Sequence, residues 1–175
     1  RGNVSYLMQG VTTVLTGNDG GGPSNVRPTL DRWTSLGVGT NVGLFTGHGS
    51  IRGSVLGSAD IAPSAPQLAR MKSMVEESMR AGAIGLSSGL YYAPGSFAKT
   101  EEVIELAKVP AAFAGVYDSH MRDESSYTIG LIGSIQETIP IAREAGMAAN
   151  ISHIKALGTD LWGQSDTVIK FVRAA

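Results

Sequence analysis

The sequence predicts an α/β protein with a parallel sheet, and two observations support this fold class. Five short apolar segments recur along the chain, usually followed by a polar loop and a helical pattern, at residues 11–17, 42–47, 83–90, 115–120 and 147–153. The last three begin at residues 83, 115 and 147, an even spacing that matches one strand–loop–helix–loop unit. Continuous apolar segments of this kind are typical of strands buried on both faces of a sheet.

The segments between the predicted strands carry helix start and stop signals. Ser64 can cap a helix that has apolar residues at spacings of three and four and ends near Gly82. Thr100 precedes two glutamates, which favour the beginning of a second helix. A third helical pattern stops at Gly146 and contains Pro140, where we expect a kink or a late start. Residues 49–66 look like a loop-rich insertion before the first of these helices.

Alternating buried strands and amphipathic helices are compatible with two architectures, an open doubly wound sheet and a (β/α)8 TIM barrel. Five strand–helix units are too few to close a barrel, which typically needs about 250 residues. The chain begins at Arg1 rather than at methionine and stops inside a helical pattern. The barrel interpretation therefore predicts that residues 1–175 are the central fragment of a longer catalytic domain, a partial TIM barrel that lacks its first and last strands.

Composition excludes several classes of function. Hydrophobic residues make up 42% of the 175 residues and charged residues 17%, as in a globular protein. The formal net charge of -1 gives no bulk attraction to nucleic acid or to a membrane surface. Absence of cysteine excludes disulfides and thiolate metal sites. Neither end carries a secretory pattern, and we expect a cytoplasmic protein.

Polar side chains follow the predicted strands at their carboxyl ends, which is where parallel α/β proteins build their sites. His120 and His153 end consecutive strands, and neighbouring strands lie about 4.8 Å apart, so the two side chains can converge on one ion. Two imidazoles and a carboxylate form a familiar hydrolytic zinc site. Asp19, after the first strand, could supply that carboxylate. The alternatives are two hydrogen-bonded rim histidines and a plain Asn-Asp-Gly turn.

Four other residues near the predicted rim have a functional and a structural interpretation. Arg122 and Lys155 could bind an anionic substrate, especially a carboxylate, or could cap rim carboxylates and helix ends. Tyr92 could donate its hydroxyl or simply pack before Pro94. His48, flanked by glycines, is more simply a structural loop histidine that hydrogen-bonds to backbone. The glycine-rich stretch around Asp19 lacks the spacing of a phosphate-binding loop.

Taken in order, five stretches resemble the N-acyl-D-amino-acid deacylases, or D-aminoacylases, of the amidohydrolase superfamily. They are QGVTTVLTGNDG, NVGLFTGHGSIR, AGAIGLSSGLYYAPGSFAKTEEVIELAK, GVYDSHMRDE and AGMAANISHIKALG, and together they cover nearly the whole chain. The combination of SSGLxYxPG, SHMRDE and SHxK is specific, whereas each motif alone would be weak.

The resemblance implies a zinc-dependent hydrolase of N-acyl-D-amino acids with one or two divalent ions. It places metal ligands on Asp19, where the family usually has cysteine, and on His120 and His153. It also implies substrate contacts at Tyr92 and Lys155, whereas Arg122 belongs to the motif without an assigned role. The family's H-x-H pair and its catalytic aspartate, the general base, would precede Arg1 and follow Ala175. We expect the isolated chain to be inactive and poorly soluble.

Two other functions stay open at this point. A sibling amidohydrolase could act on a cyclic amide, as a hydantoinase or dihydroorotase does. Those enzymes usually carry a metal-bridging lysine at a strand end, and no strand predicted here ends in a suitable lysine. A catalytically silent fragment or binding module could instead keep the rim without the complete active site.

Overall fold

The computed structural model describes residues 2–175 and confirms the parallel α/β class. Six strands are present, β1 Thr13–Thr16, β2 Asn41–Leu44, β3 Thr46–Gly47, β4 Gly85–Gly89, β5 Val116–His120 and β6 Ala148–Ile151. β1 pairs with β2, and β3, β4, β5 and β6 pair in that order, every pair being parallel. Only Phe45 separates β2 from β3, and Ile84 N–H, just before β4, donates to Leu44 O in β2. The two sheets therefore continue as five successive strand positions, as the five apolar segments predict.

Within residues 2–175, seven α-helices connect or flank these strands. They are α1 Val4–Leu7, α2 Arg27–Leu36, α3 His48–Leu56, α4 Ala65–Arg80, α5 Thr100–Ala111, α6 Gly130–Ala145 and α7 Ser165–Arg173. The prediction that Ser64 caps α4 is confirmed, because Ser64 is its N-cap residue and forms a capping box with Gln67, whose Oε1 accepts from Ser64 N–H at 2.9 Å. The prediction of a loop-rich insertion at 49–66 is wrong in its first half, where α3 lies. Its Gly- and Ser-rich sequence hides the helix, which tertiary packing of Ile51 and Arg52 stabilises instead.

Pro140 does not delay the beginning of its helix. α6 begins at Gly130 and continues through Pro140 to Ala145, so the late start that the sequence suggested is wrong. Gly146 ends α6 in a left-handed conformation, as its place after the apolar pattern predicts. None of the helices in residues 2–175 is both long and apolar enough to cross a lipid bilayer.

The main core lies between the central strands and helices α3 to α6. Met71 and Val75 of α4, Leu106 of α5 and Ile141 of α6 are fully buried there, together with Tyr117 of β5. β4 is buried along its whole length, but most residues of β1 and β6 are exposed. The sheet thus has a covered centre and two open sides, and its carboxyl-terminal strand ends meet along one rim.

Candidate metal centre

The rim brings together the three residues that the sequence predicts as metal ligands. Asp19 lies in the turn after β1, His120 is the last residue of β5, and His153 follows the end of β6. One candidate ligand atom from each residue lies within 4.8 Å of the other two. The expected convergence of the three side chains is therefore present, and their binding of a metal stays a prediction.

The three candidate ligand atoms form a small triangle. His120 Nδ1 lies 3.0 Å from His153 Nε2, and Asp19 Oδ1 lies 3.8 Å from the first and 3.4 Å from the second. Ligands about 2.0–2.1 Å from a tetrahedral zinc ion are separated by about 3.3 Å. The triangle is therefore of a size that could hold one such ion.

Two atoms at this site have hydrogen-bonding capacity that the described residues do not use. Asp19 Oδ1 is buried and accepts no hydrogen bond, and His120 Nε2 is buried without a partner. An unpaired buried carboxylate oxygen is costly unless a cation satisfies it. The donor set of two imidazoles and one carboxylate, with an unsatisfied oxygen on the triangle, fits a divalent ion.

Close backbone packing fixes the turn that carries Asp19. A Cβ atom on Gly89, at the end of β4, would lie 2.1 Å from the backbone oxygen of Asp19. Ser87 of β4 donates to Gly17 O at 2.5 Å and accepts from Gly20 N at 3.2 Å. The glycines of this stretch therefore serve a tight contact between the turn and β4, which explains them without a phosphate.

Glu124 is the residue of the site that sequence reasoning missed. Its Oε1 lies 3.2 Å from His153 Nδ1, and its side chain is almost fully buried. Lys155 Nζ also lies 3.1 Å from this nitrogen. With its proton on Nδ1, the ring would donate to Glu124 and leave the lone pair of Nε2 facing His120 and Asp19, as in carboxylate–histidine–metal arrangements. The only sequence signal was its place in the SHMRDE motif, four positions after His120.

The loop that carries Glu124 is held by a second buried carboxylate. Asp123 accepts hydrogen bonds from the backbone N–H groups of Ser125, Thr128 and Gly130. Burial raises the pKa of Asp123, but the hydrogen bonds from Ser125, Thr128 and Gly130 outweigh burial and hold it well below its usual range. Asp123 thus stays ionised and organises the loop, which sets the position of its neighbour Glu124.

Lys155 and Tyr92 lie beside the three ligand candidates. Lys155 Nζ contacts Glu124 at 2.5 Å, and its side chain is 45% exposed. The ring of Tyr92 lies 4.7 Å from that of His120, measured between centroids. Burial, followed by the negative charges of Asp19 and Glu124, raises the pKa of Tyr92, so its hydroxyl remains a donor at neutral pH.

His120 is suited to bind a cation as a neutral ligand. Burial lowers the pKa of His120, and this effect outweighs the opposing influence of Glu124 and Asp19. Its imidazole is therefore neutral at physiological pH, with a lone pair available on one nitrogen.

Arg122 lies in the same motif but faces away from the triangle. Its guanidinium forms a bidentate pair with Glu137 of α6 and also donates to Ser96 O at 2.9 Å and Ala98 O at 2.8 Å. These partners engage all three guanidinium nitrogens. The arrangement favours the capping role that the sequence left open for Arg122 over a contact with substrate.

His48 is structural, but its surroundings differ from the prediction. It is the first residue of α3 rather than a loop residue, and it is fully buried. Its Nε2 lies 2.9 Å from Glu102 Oε1, so its partner is a side chain and not backbone. Glu102 also pairs with the buried Arg52, which links α3 to α5.

Comparison with known proteins gives the same relationship by sequence and by structure. The D-aminoacylase of Alcaligenes xylosoxydans xylosoxydans is 32% identical over 192 residues, which covers 97% of this chain and 39% of the relative. The N-acyl-D-glutamate deacylase of that organism is 33% identical over 125 residues, or 71% of this chain and 25% of the relative. No family model matches. The chain thus spans at most about two fifths of the length of these relatives.

Solved structures extend this relationship to the fold. N-acyl-D-glutamate deacylase from Bordetella bronchiseptica, complexed with zinc and a phosphonate inhibitor, superposes with a TM-score of 0.89 at 27% identity. A D-aminoacylase described as defining a novel subset of amidohydrolases superposes with a TM-score of 0.88 at 28% identity. The matches cover 97% and 96% of this chain and 40% of each solved chain.

The parallel strands, the rim and these superpositions define the class: the chain has a parallel α/β fold that matches the TIM-barrel-like part of D-aminoacylase amidohydrolases. Over nearly its whole length, the chain is homologous to proteins named D-aminoacylase and N-acyl-D-aspartate deacylase.

Proposed function

We propose that the protein to which this chain belongs is a metal-dependent hydrolase that cleaves the amide bond of N-acyl-D-amino acids. The observation that carries the proposal is the triangle of Asp19, His120 and His153, with its unsatisfied carboxylate oxygen. The activities in the names of the relatives support the substrate class, since D-aminoacylase and two N-acyl-D-amino-acid deacylases are among them. Products would be a carboxylic acid and a free D-amino acid.

Zinc is the ion that we propose for the triangle. The Bordetella deacylase is complexed with zinc, and a D-aminoacylase has a binuclear metal centre. An oxygen ligand from Asp19 still suits zinc but widens the choice to other divalent ions. When bound, the ion would polarise the amide carbonyl and lower the pKa of a water molecule. A second ion would need ligands from outside residues 2–175, where the resemblance implies an H-x-H pair.

The residues of the candidate site would then have distinct roles. Asp19, His120 and His153 hold the ion, and Glu124 orients His153 through its Nδ1–H. The exposed part of Lys155 offers a cation for the carboxylate of the amino acid. 

Tyr92 would add a neutral hydrogen-bond donor beside Lys155. Its protonated hydroxyl can contact the same substrate and so help orient the scissile bond. Amide hydrolysis also needs a group that takes a proton from the attacking water and returns it to the leaving amine, and we propose an aspartate beyond Ala175 for that role.

Residues 1–175 would accordingly form the central part of a larger catalytic domain. The open sides of the sheet at β1 and β6 support this division, since further strands could cover both. We propose a cytoplasmic location, which fractionation of the producing cells would test.

The decisive experiment uses the protein expressed from its complete gene. N-acetyl-D- and N-acetyl-L-amino acids and a cyclic amide are offered to the zinc-loaded and the chelator-treated protein, and release of free amine or ring opening is measured. We expect D-selective, zinc-dependent hydrolysis of the linear amides that His120→Ala abolishes. Ring opening alone would support the cyclic-amide function. A metal-loaded protein that is inert toward all three substrates would support the alternative of a catalytically silent protein.

A further inference from the structure

One buried carboxylate near the rim has no role in the site described so far. Asp118 lies in the middle of β5, two residues before His120, and is 1% exposed. Residues two apart in a strand point to the same face, so Asp118 lies beneath the ligand triangle. A buried charge is costly unless its environment compensates for it.

Three neutral donors satisfy Asp118. Its Oδ1 accepts from Asn150 Nδ2 and from Ser152 Oγ, each at 2.7 Å, and its Oδ2 accepts from Asn18 Nδ2 at 3.0 Å. No lysine, arginine or histidine within residues 2–175 forms an ion pair with it. The side chain of Asp118 is therefore satisfied by hydrogen bonds from neutral groups.

Two of these donors immediately precede candidate metal ligands. Asn18 comes before Asp19, and Ser152 comes before His153. One carboxylate thus connects the β1 turn, the end of β5 and the end of β6, which are the three segments that carry the triangle. Asn150 differs, because it lies opposite Asp118 in the β5–β6 register, three positions from His153.

The backbone at two ligand positions requires such support. Asp19 has φ of 58° and His153 has φ of 36°, and they are two of the four non-glycine residues with positive φ in the described part of the chain. A left-handed conformation is unfavourable for a residue with a side chain and persists only where the surroundings impose it. The preceding residues, Asn18 and Ser152, donate hydrogen bonds to Asp118 and so hold the chain at both positions.

From these contacts we infer that Asp118 is a positioning residue for metal binding, which it supports through Asn18 and Ser152 without touching the ion. This inference rests on the proposed function only for the presence of the ion. Loss of a supporting partner of a metal site typically costs about 10–100-fold in affinity. Asp118→Asn keeps the size of the side chain but loses its charge and one of its acceptor oxygens.

The test measures zinc affinity and cobalt absorption rather than turnover. The apo protein from the complete gene is titrated with zinc against a chromophoric chelator, and the visible spectrum of its Co²⁺ form reports ligand geometry. We expect Asp118→Asn to raise the zinc Kd by about tenfold or more and to change the cobalt spectrum. Asn18→Ala and Ser152→Ala should each raise the Kd by a smaller factor, and these milder variants cover the case in which Asp118→Asn folds poorly.

Glu102→Gln is the matched control, because Glu102 is another buried carboxylate, held by His48 and Arg52, but lies away from the triangle. It should lower the melting temperature without changing the zinc Kd. Wild-type zinc affinity in Asp118→Asn, or an equal loss in Glu102→Gln, would overturn the inference while the proposed function stands. Zinc binding without amide hydrolysis would overturn only the proposed function, and a wild-type protein that takes up no zinc would overturn both.

Discussion

As a metal ligand, Asp19 would give the candidate centre an oxygen atom at a position where the resemblance implies a sulfur atom. A carboxylate is harder than a thiolate and discriminates less between zinc and ions such as Mn²⁺. Since the Asp19 turn packs against Gly89 through backbone atoms, a change of its side chain leaves that contact intact. The choice of ion can therefore be tested at this residue without disturbing the fold.

The first prediction concerns Asp19→Cys in the protein from the complete gene. The thiolate should lower the zinc Kd by at least about tenfold and weaken Mn²⁺ binding, because soft ligands favour zinc. Competition titrations with both ions measure the change. Asp19→Ala is the control and should weaken both ions. Equal affinities of Asp19→Cys and wild type for both ions would contradict a ligand role for Asp19.

The second prediction concerns Glu124, which contacts both His153 and Lys155. Glu124→Gln removes the charge that orients the imidazole and leaves Lys155 without its partner, so zinc affinity should fall by about 10–100-fold. Chelator competition gives the Kd. Glu137→Gln serves as the control, since Glu137 binds Arg122 away from the triangle, and its zinc Kd should remain that of wild type. Unchanged affinity in Glu124→Gln would exclude its orienting role.

At the scale of elements, α3 and α5 are joined by a buried ion pair. Glu102 at the beginning of α5 bridges Arg52 and His48 of α3, and all three are buried. Burial raises the pKa of Glu102, but hydrogen bonds from His48 and Arg52 outweigh it and leave that pKa below its usual range. The carboxylate is therefore ionised at neutral pH and compensates the buried guanidinium.

The third prediction is that Glu102→Gln lowers the free energy of unfolding by about 3–5 kcal/mol, because it leaves Arg52 buried without its partner. Urea denaturation at neutral pH measures the loss. Glu77→Gln, which removes an exposed partner of Arg70, should cost less than about 1 kcal/mol. Equal costs for the two variants would show that the α3–α5 link does not stabilise the fold.

The lowered pKa of Glu102 also predicts how the free energy of unfolding depends on pH. A carboxylate with a lowered folded pKa stabilises the fold fully above its unfolded pKa, about 4.3, and loses that stabilisation as the pH falls through the lowered value. The stability difference between wild type and Glu102→Gln should therefore shrink below about pH 4. Denaturation curves recorded at several pH values check this. A difference that is constant with pH would contradict the lowered pKa.

The sequence predicted the strands more completely than the contacts between loops. His120 and His153 were predictable because each ends an apolar segment in an even repeat, and parallel strands place their ends at one rim. Glu124 was not, because its position depends on the loop that Asp123 organises through backbone donors. Helix α3 escaped prediction for a similar reason, since its buried contacts override the weak helix propensity of glycine and serine.

At the scale of the whole molecule, the described chain has an unusually exposed pair of outer strands. Leu15 of β1 is 56% exposed, and residues 148–150 of β6 are exposed. The apolar residues Ile154 and Val172 are also exposed, at 41% and 44%, near the β6 side. Unpaired strand edges with apolar neighbours are templates for association with other chains.

The fourth prediction follows from these open sides. Expressed alone, residues 1–175 should self-associate and show no amide hydrolysis, because both edges lack a partner strand and the rim lacks a general base. Sedimentation velocity over a range of concentrations measures the association, and the protein from the complete gene is the control that should sediment without concentration-dependent growth. Leu15→Lys should reduce association of the isolated chain, since a charge on an edge strand opposes pairing. A monomeric isolated chain with one cooperative melting transition would show instead that the two open sides need no cover.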